Sequence, residues 1–203
     1  MIIHRHITDP IMQVNTYLAV CGATRAGVLI DPGKDCSAVF MAIQDHQIEV
    51  QYIINTHAHP DHCHGNAEAH QRYGAPVLLH AMEHRRLQSM TKAKFIPDGE
   101  YSCRFVADGE VLVFGNAKLT IIETPGHTDG SISLWSQETL FCGDLMTVNA
   151  ASHHFGGMNF ENSQTRDTYF RILLPRIQTQ PDIVIYPGHG PAFKPQDILR
   201  GAS

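Results

Sequence analysis

The stretch Val50-Gln51-Tyr52-Ile53-Ile54-Asn55-Thr56-His57-Ala58-His59-Pro60-Asp61-His62 decides how this chain is read. Its first six residues are short, β-branched and apolar, and predict a buried strand. Pro60 forbids a continuous helix through the polar half. That half is therefore a loop leaving a strand end, with a helix expected to start near His62. Between His57 and His62, three imidazoles and one carboxylate fall within six residues. A loop can aim several side chains into one volume, and imidazole plus carboxylate without thiolate suits zinc, iron or manganese. The bland alternative is a histidine-rich surface loop, and this spacing speaks against it.

Working outward, residues 2–7 and 15–21 predict two strands joined by a turn at Asp9-Pro10. A third strand, 27–31, ends at Pro32-Gly33. Cys36 to His46 carries Val39, Phe40 and Ile43 at helical spacing. Beyond the histidine loop a helix is expected from about Gly65 to Tyr73, stopped by Gly74 and followed by a strand at 77–79. A short helix is expected around 82–87, and 88–104 reads as irregular. Residues 109–114 and 117–123 flank the turn Gly115-Asn116 and predict a hairpin. Strands at 131–135 and 139–142, a helix at 165–177 and a last strand at 182–186 follow. Strand hairpins followed by a helix and a strand recur in both halves. This rhythm predicts two similar layers packed sheet on sheet with helices outside, in one domain spanning 1–203.

Composition narrows the function. With 43% apolar and 17% charged residues the chain is globular. The formal net charge is −5 and no basic run exceeds Arg85-Arg86, which argues against a nucleic-acid partner. The five cysteines are odd in number and widely spaced, so a reducing compartment is expected. The N-terminus lacks a signal-peptide pattern and no apolar run approaches membrane-spanning length. A cytoplasmic protein with no membrane partner follows as the expectation. Fourteen histidines are the outlier, and five of them lie from His57 to His70.

Three more polar residues stand at ends of predicted strands, each beside glycine: His127 after Gly126, Asp144 after Gly143, and His189 between Gly188 and Gly190. Glycine permits close backbone approach. Together with the 57–62 cluster they read as loops converging on one rim, where α/β folds place their chemistry. The succession T-H-x-H-x-D-H, P-G-H-T, G-D and G-H-G resembles the metallo-β-lactamase superfamily over nearly the whole chain. Asp144, rather than a cysteine, resembles the glyoxalase-II-like branch.

The resemblance implies a four-layer αββα sandwich and two divalent metals, zinc first, with iron or manganese as alternatives. It implies that His57, His59 and His127 ligate one metal, Asp61, His62 and His189 the other, and that Asp144 bridges both. A bridge needs two oxygens, which a carboxylate has and an imidazole lacks. The implied activity is hydrolysis of a small-molecule thioester or ester by a hydroxide shared between the metals, with Asp61 also steering that hydroxide. Alternatives within the same fold are a one-iron persulfide dioxygenase using His57, His127 and Asp144, and a lactonase or other binuclear hydrolase. The stretch Thr124 to Gly130 looks like the dioxygenase branch. Glyoxalase II itself continues into a helical glutathione-binding domain, whereas only fourteen residues follow His189 here. A thioester other than a glutathione conjugate is therefore open. Asp31, Thr56 and Thr128 are candidates to orient ligand imidazoles. His64 and His70 read as solvated or capping, Cys63 as a buried hydrophobe, and Tyr186 as a strand tyrosine. His153 and His154 are candidates for contacting substrate.

Overall fold

Residues 1–93, 101–147 and 163–200 are described by the structure, a computed structural model. His153 and His154, the candidates for contacting substrate, and residues 94–100 lie outside the described residues.

The first sheet contains β1 (Ile2–Asp9), β2 (Val14–Val20), β3 (Ala26–Ile30), β4 (Glu49–Ile54), β5 (Val77–His80) and β6 (Cys103–Val106), side by side in chain order. β1 to β3 pair antiparallel, and β3 to β6 pair parallel. The second sheet runs β11 (Val184–Pro187), β10 (Thr139–Gly143), β9 (Ile132–Trp135), β8 (Ala117–Glu123) and β7 (Val111–Phe114). Only the β10–β11 pair is parallel.

Period-two alternation explains why the sheets stack. Tyr17, Ala19, Val28, Ile30, Ile54 and Leu78 of the first sheet meet Leu119, Ile121, Ile132, Leu134 and Phe141 of the second in one buried cluster. Their neighbours point the other way. Leu18, Leu29, Ile53 and Val77 pack outward against α1 (Ser37–Asp45) and α3 (Asn66–Tyr73). Leu140, Cys142 and Ile185 pack against the helical segment of α5 (Ser163–Thr168), a π-helical turn (Tyr169–Leu173) and α6 (Leu174–Thr179). Strands buried on both faces read as continuous apolar runs, which is how β2, β3 and β10 look. The result is the four-layer αββα sandwich.

Several expectations need correction. The helix after the histidine loop starts at Pro60, as α2 (Pro60–Cys63), not near His62. Proline is pre-organised for the first helical position, where its missing N–H has no partner to lose. α4 runs Ala81–Lys92, beyond the short helix expected, into a segment read as irregular. Its polar residues conceal the period, because only Glu83 and Leu87 are buried. β6 was also absent from the expectation: Arg104 and Phe105 are exposed and the strand lies at the sheet edge. The helix at 165–177 is interrupted by the π turn. Pro175, two residues past it, lacks the N–H for a regular bond to Arg171 and its ring crowds that carbonyl. A last helix, α7 (Pro195–Arg200), lies in the tail. Among the described residues, no helix is long and apolar enough to cross a membrane.

Candidate metal centre

Four loops at the C-terminal ends of β4, β8, β10 and β11 bring the seven expected ligand residues to one place. Because Pro60 opens α2, His57 and His59 lie in the loop before it, while Asp61 and His62 project from its first turn. Gly188 is required by close approach: a Cβ there would stand 2.0 Å from Asp144 Oδ1 and 2.9 Å from His62 Cε1.

The side chains form two groups around Asp144. In the first, His59 Nδ1 lies 3.1 Å from His57 Nε2 and 3.0 Å from His127 Nε2. Asp144 Oδ2 is 3.4 Å from His127 Nε2 and 3.8 Å from His57 Nε2. In the second, Asp61 Oδ2 is 3.4 Å from both His62 Nε2 and His189 Nε2, which are 3.3 Å apart. Asp144 reaches this group too, with Oδ1 3.3 Å from His62 Nε2 and Oδ2 3.2 Å from His189 Nε2.

These contacts fit a cation better than a hydrogen-bond network. His189 Nδ1–H donates to the Met12 carbonyl at 2.7 Å, which turns Nε2 inward toward the carboxylates. Asp144 Oδ1 is buried without a hydrogen bond. Buried polar atoms are rarely left so, and this one faces His62 Nε2 at 3.3 Å. Ligands of a tetrahedral metal with bonds of ~2.0–2.1 Å stand ~3.4 Å apart, within the spacing found here. Burial pushes the His57 pKa well below its ordinary value, and burial also lowers His59 and His127. Neutral imidazoles are what a metal requires. Burial would raise the Asp144 carboxyl, but His62, His189 and His57 hold it well below the usual range, so it is anionic. Burial opposes protonation of His62 and His189, yet the carboxylates beside them raise both, His189 to about 10. Negative charge thus collects at the second group, and a cation there would displace those protons.

The other singled-out residues divide. Asp31 accepts from the Thr56 N–H and hydroxyl, both at 2.7 Å, and its Oδ2 lies 3.4 Å from His62 Nδ1. Thr56 Oγ1 is 3.1 Å from His57 Nδ1. Both residues therefore touch ligand-bearing imidazoles. Thr128 bonds Ser131 within its own turn, as a turn residue does. His70 Nδ1 bonds the Ala75 carbonyl past the end of α3, and His64 is half-buried outside both groups. Cys63 is buried in an apolar cluster and its thiol is pushed up by burial. Tyr186 packs on Tyr17 and Phe141.

Sequence reasoning missed the supports. Asn55 Nδ2 donates to the His62 carbonyl at 2.9 Å and pairs with Asn66. Asn15 Nδ2 donates to the carbonyls of Pro187 and Gly190, at 2.9 and 2.7 Å. Glu83, 2% exposed, accepts from the Ala58 N–H at 2.8 Å and the Gly130 N–H at 3.1 Å. Each partner pair except Asn55 with its own loop is far apart in sequence, so no local pattern announces it.

A family model for the metallo-beta-lactamase superfamily matches residues 9–189. Over 143 residues the chain is 34% identical to a hydroxyacylglutathione hydrolase from Rhodospirillum rubrum, covering 70% of this chain and 51% of that protein. The chain spans about half the length of several such curated relatives. Among solved structures, the BLEG-1 B3 metallo-beta-lactamase superimposes with a TM-score of 0.79 at 22% identity, covering 98% of this chain and 97% of that one. TTHA1623 in a di-iron-bound form superimposes with a TM-score of 0.75 at 23% identity, covering 98% of each chain. At these identities the two structures speak to the fold.

Proposed function

The chain belongs to the metallo-beta-lactamase superfamily, and on that premise we propose that it is a binuclear metallohydrolase cleaving a small-molecule thioester or ester. One observation carries the reading: a single carboxylate, Asp144, lies within 3.8 Å of four imidazoles drawn from both groups. His57, His59 and His127 hold a first divalent metal, Asp61, His62 and His189 a second, and Asp144 joins them. Zinc suits this nitrogen and oxygen set, and so do iron and manganese. When bound, such metals supply Lewis acidity, which brings the pKa of a water toward ~7 and polarises a carbonyl.

The protein's own part is positioning. Asp61, at 22% side-chain exposure, is open enough to accept a hydrogen bond from the attacking water and aim its lone pair at the substrate carbonyl. Asp144 and Asp61 place two negative charges among five imidazoles, so the rim favours cations. The relatives named hydroxyacylglutathione hydrolase support a thioester as substrate. One domain over 1–203 and a cytoplasmic location complete the proposal.

A second reading, a persulfide dioxygenase, draws on His57, His127 and Asp144 standing in one group. Two histidines and a carboxylate are the donor set of many non-haem iron oxygenases. The test is to quantify metals in the purified protein and assay it against S-acyl thioesters, lactones and glutathione persulfide. Two metals per chain with thioester or ester turnover support the hydrolase. One iron with oxygen uptake supports the dioxygenase and ends the binuclear reading.

A further inference from the structure

Ala58 lies between His57 and His59, and Gly130 lies three residues after His127. The two loops belong to different sheets, yet both N–H groups point at one side chain on the first turn of α4. Glu83 Oε2 takes the Ala58 N–H and Oε1 takes the Gly130 N–H. Among the described residues its ion-pair partner is Arg86, whose Nε is 3.5 Å from Oε2. The packing around it is tight: a Cβ at Gly130 would stand 2.9 Å from Glu83 Cγ and Oε1. Burying a carboxylate is unfavourable unless its oxygens are satisfied. Here each oxygen is satisfied by a different ligand loop, and little else of α4 is buried.

We propose that Glu83 is a positioning residue for the group His57, His59 and His127. It touches none of these imidazoles. It holds the peptide joining His57 to Ala58 and the turn after His127 at a set separation, and so sets where the three ring nitrogens meet. This rests on the reading that the three histidines hold a metal. It also separates the two groups, because the residues supporting His62 and His189 make no contact with Glu83 in the hydrogen bonds above.

Two variants test it, with cobalt(II) as the probe metal. Glu83→Gln keeps the size but puts an amide NH2 opposite one of the two backbone N–H groups, so one loop loses its acceptor. Glu83→Asp keeps the charge on a shorter stem. In Glu83→Gln, cobalt should leave one site at ~10–100-fold lower chelator concentration, with a changed d–d spectrum. The other site should behave as in the parent protein. Glu83→Asp should fall between the parent and Glu83→Gln. The loss in melting temperature should be larger with cobalt than without it. Parent-like affinity and spectrum in both variants would overturn the proposal. So would an equal loss of melting temperature with and without cobalt, or failure of both variants to fold, since either makes Glu83 a purely structural residue. A parent protein that takes up no cobalt would remove the metal reading and this inference together. Cobalt-binding parent protein with indifferent variants removes only the inference.

Discussion

The two ligand groups share Asp144 but are held in place largely by different elements. The group His57, His59 and His127 rests on loops whose backbone is clasped by Glu83 of α4. The group Asp61, His62 and His189 is held by the β1–β2 hairpin and by Asp31 at the end of β3. The hairpin supplies the Met12 carbonyl to His189, and Asn15 binds the loop 187–190 through backbone and side chain. Charge divides along the same line. The first group is three neutral imidazoles with Asp144. The second adds Asp61, with Asp31 3.4 Å from His62. The first group alone can thus lodge a cation with little charge compensation, whereas the second depends on its carboxylates. Perturbing each in turn should show whether the two behave as separate sites.

The largest effect is expected at the shared residue. Asp144→Asn removes the charge both groups use and leaves an amide that bridges poorly. Metal should be lost from both groups, and turnover should fall by about 10³-fold or more, the scale of several kcal/mol of lost Lewis-acid stabilisation. Elemental analysis with a rate measurement checks this, and parent-like metal content would sink the bridging role. Asp61→Ala comes next and splits the groups. It should strip the second metal while the first stays, and lower hydrolysis by roughly 10²–10³-fold through lost orientation and activation. Under the one-iron alternative the same change costs only ~10–100-fold, as an outer support does. Near-parent thioesterase activity with a single metal would break the binuclear mechanism.

The contrast between ligands and supports also explains what the sequence made legible. His57, His59, Asp61 and His62 lie within six residues, and His127, Asp144 and His189 each sit beside glycine near a strand end, so local patterns expose all seven. The sandwich was legible for a similar reason: short apolar runs bounded by turn residues, as at β2 and β3, are local signals, and their order recurs in both halves. β6 was not, because an edge strand with Arg104 and Phe105 exposed has no buried face to advertise. Glu83 and Asn15 were not legible either. Their importance lies in partners 25 to 175 residues away, and nothing in the residues around them specifies that contact. Asp31 stands between. It was picked out as an oxygen in a flanking loop, but the two hydrogen bonds it accepts from Thr56 and its place beside His62 required the parallel pairing of β3 with β4.

That intermediate position makes Asp31 the mirror of Glu83. Asp31→Asn keeps the shape but can no longer accept from Thr56 with both oxygens and loses the charge facing His62. Cobalt affinity should fall by ~10–100-fold at the second group, which Asp31 faces directly through His62, and by less at the first, which it reaches only through Thr56 and His57. Folding stability should drop by ~1–3 kcal/mol for the buried donor left without its acceptor. Loss of metal from the first group instead would show that the two supports are not independent.

The smallest effect on the fold is expected from removing metal altogether, and it bears on whether the rim or the core holds the structure. Seven side chains from four loops converge at the rim, so any cation they bind stabilises the folded state by mass action. The sheets do not depend on it. Tyr17, Val28, Ile30, Ile54, Leu119, Ile121, Leu134 and Phe141 are buried between them, and two further apolar clusters fasten the helices outside. Chelation should therefore lower the melting temperature while the far-ultraviolet circular dichroism below the transition stays unchanged. The shift should shrink in Asp61→Ala, which has less metal to lose, and should nearly vanish in Asp144→Asn. If chelation instead abolishes the folded signal, then the carboxylates and imidazoles at the rim repel and desolvate at a cost the apolar core cannot offset, and the metals belong to the fold as much as to the chemistry.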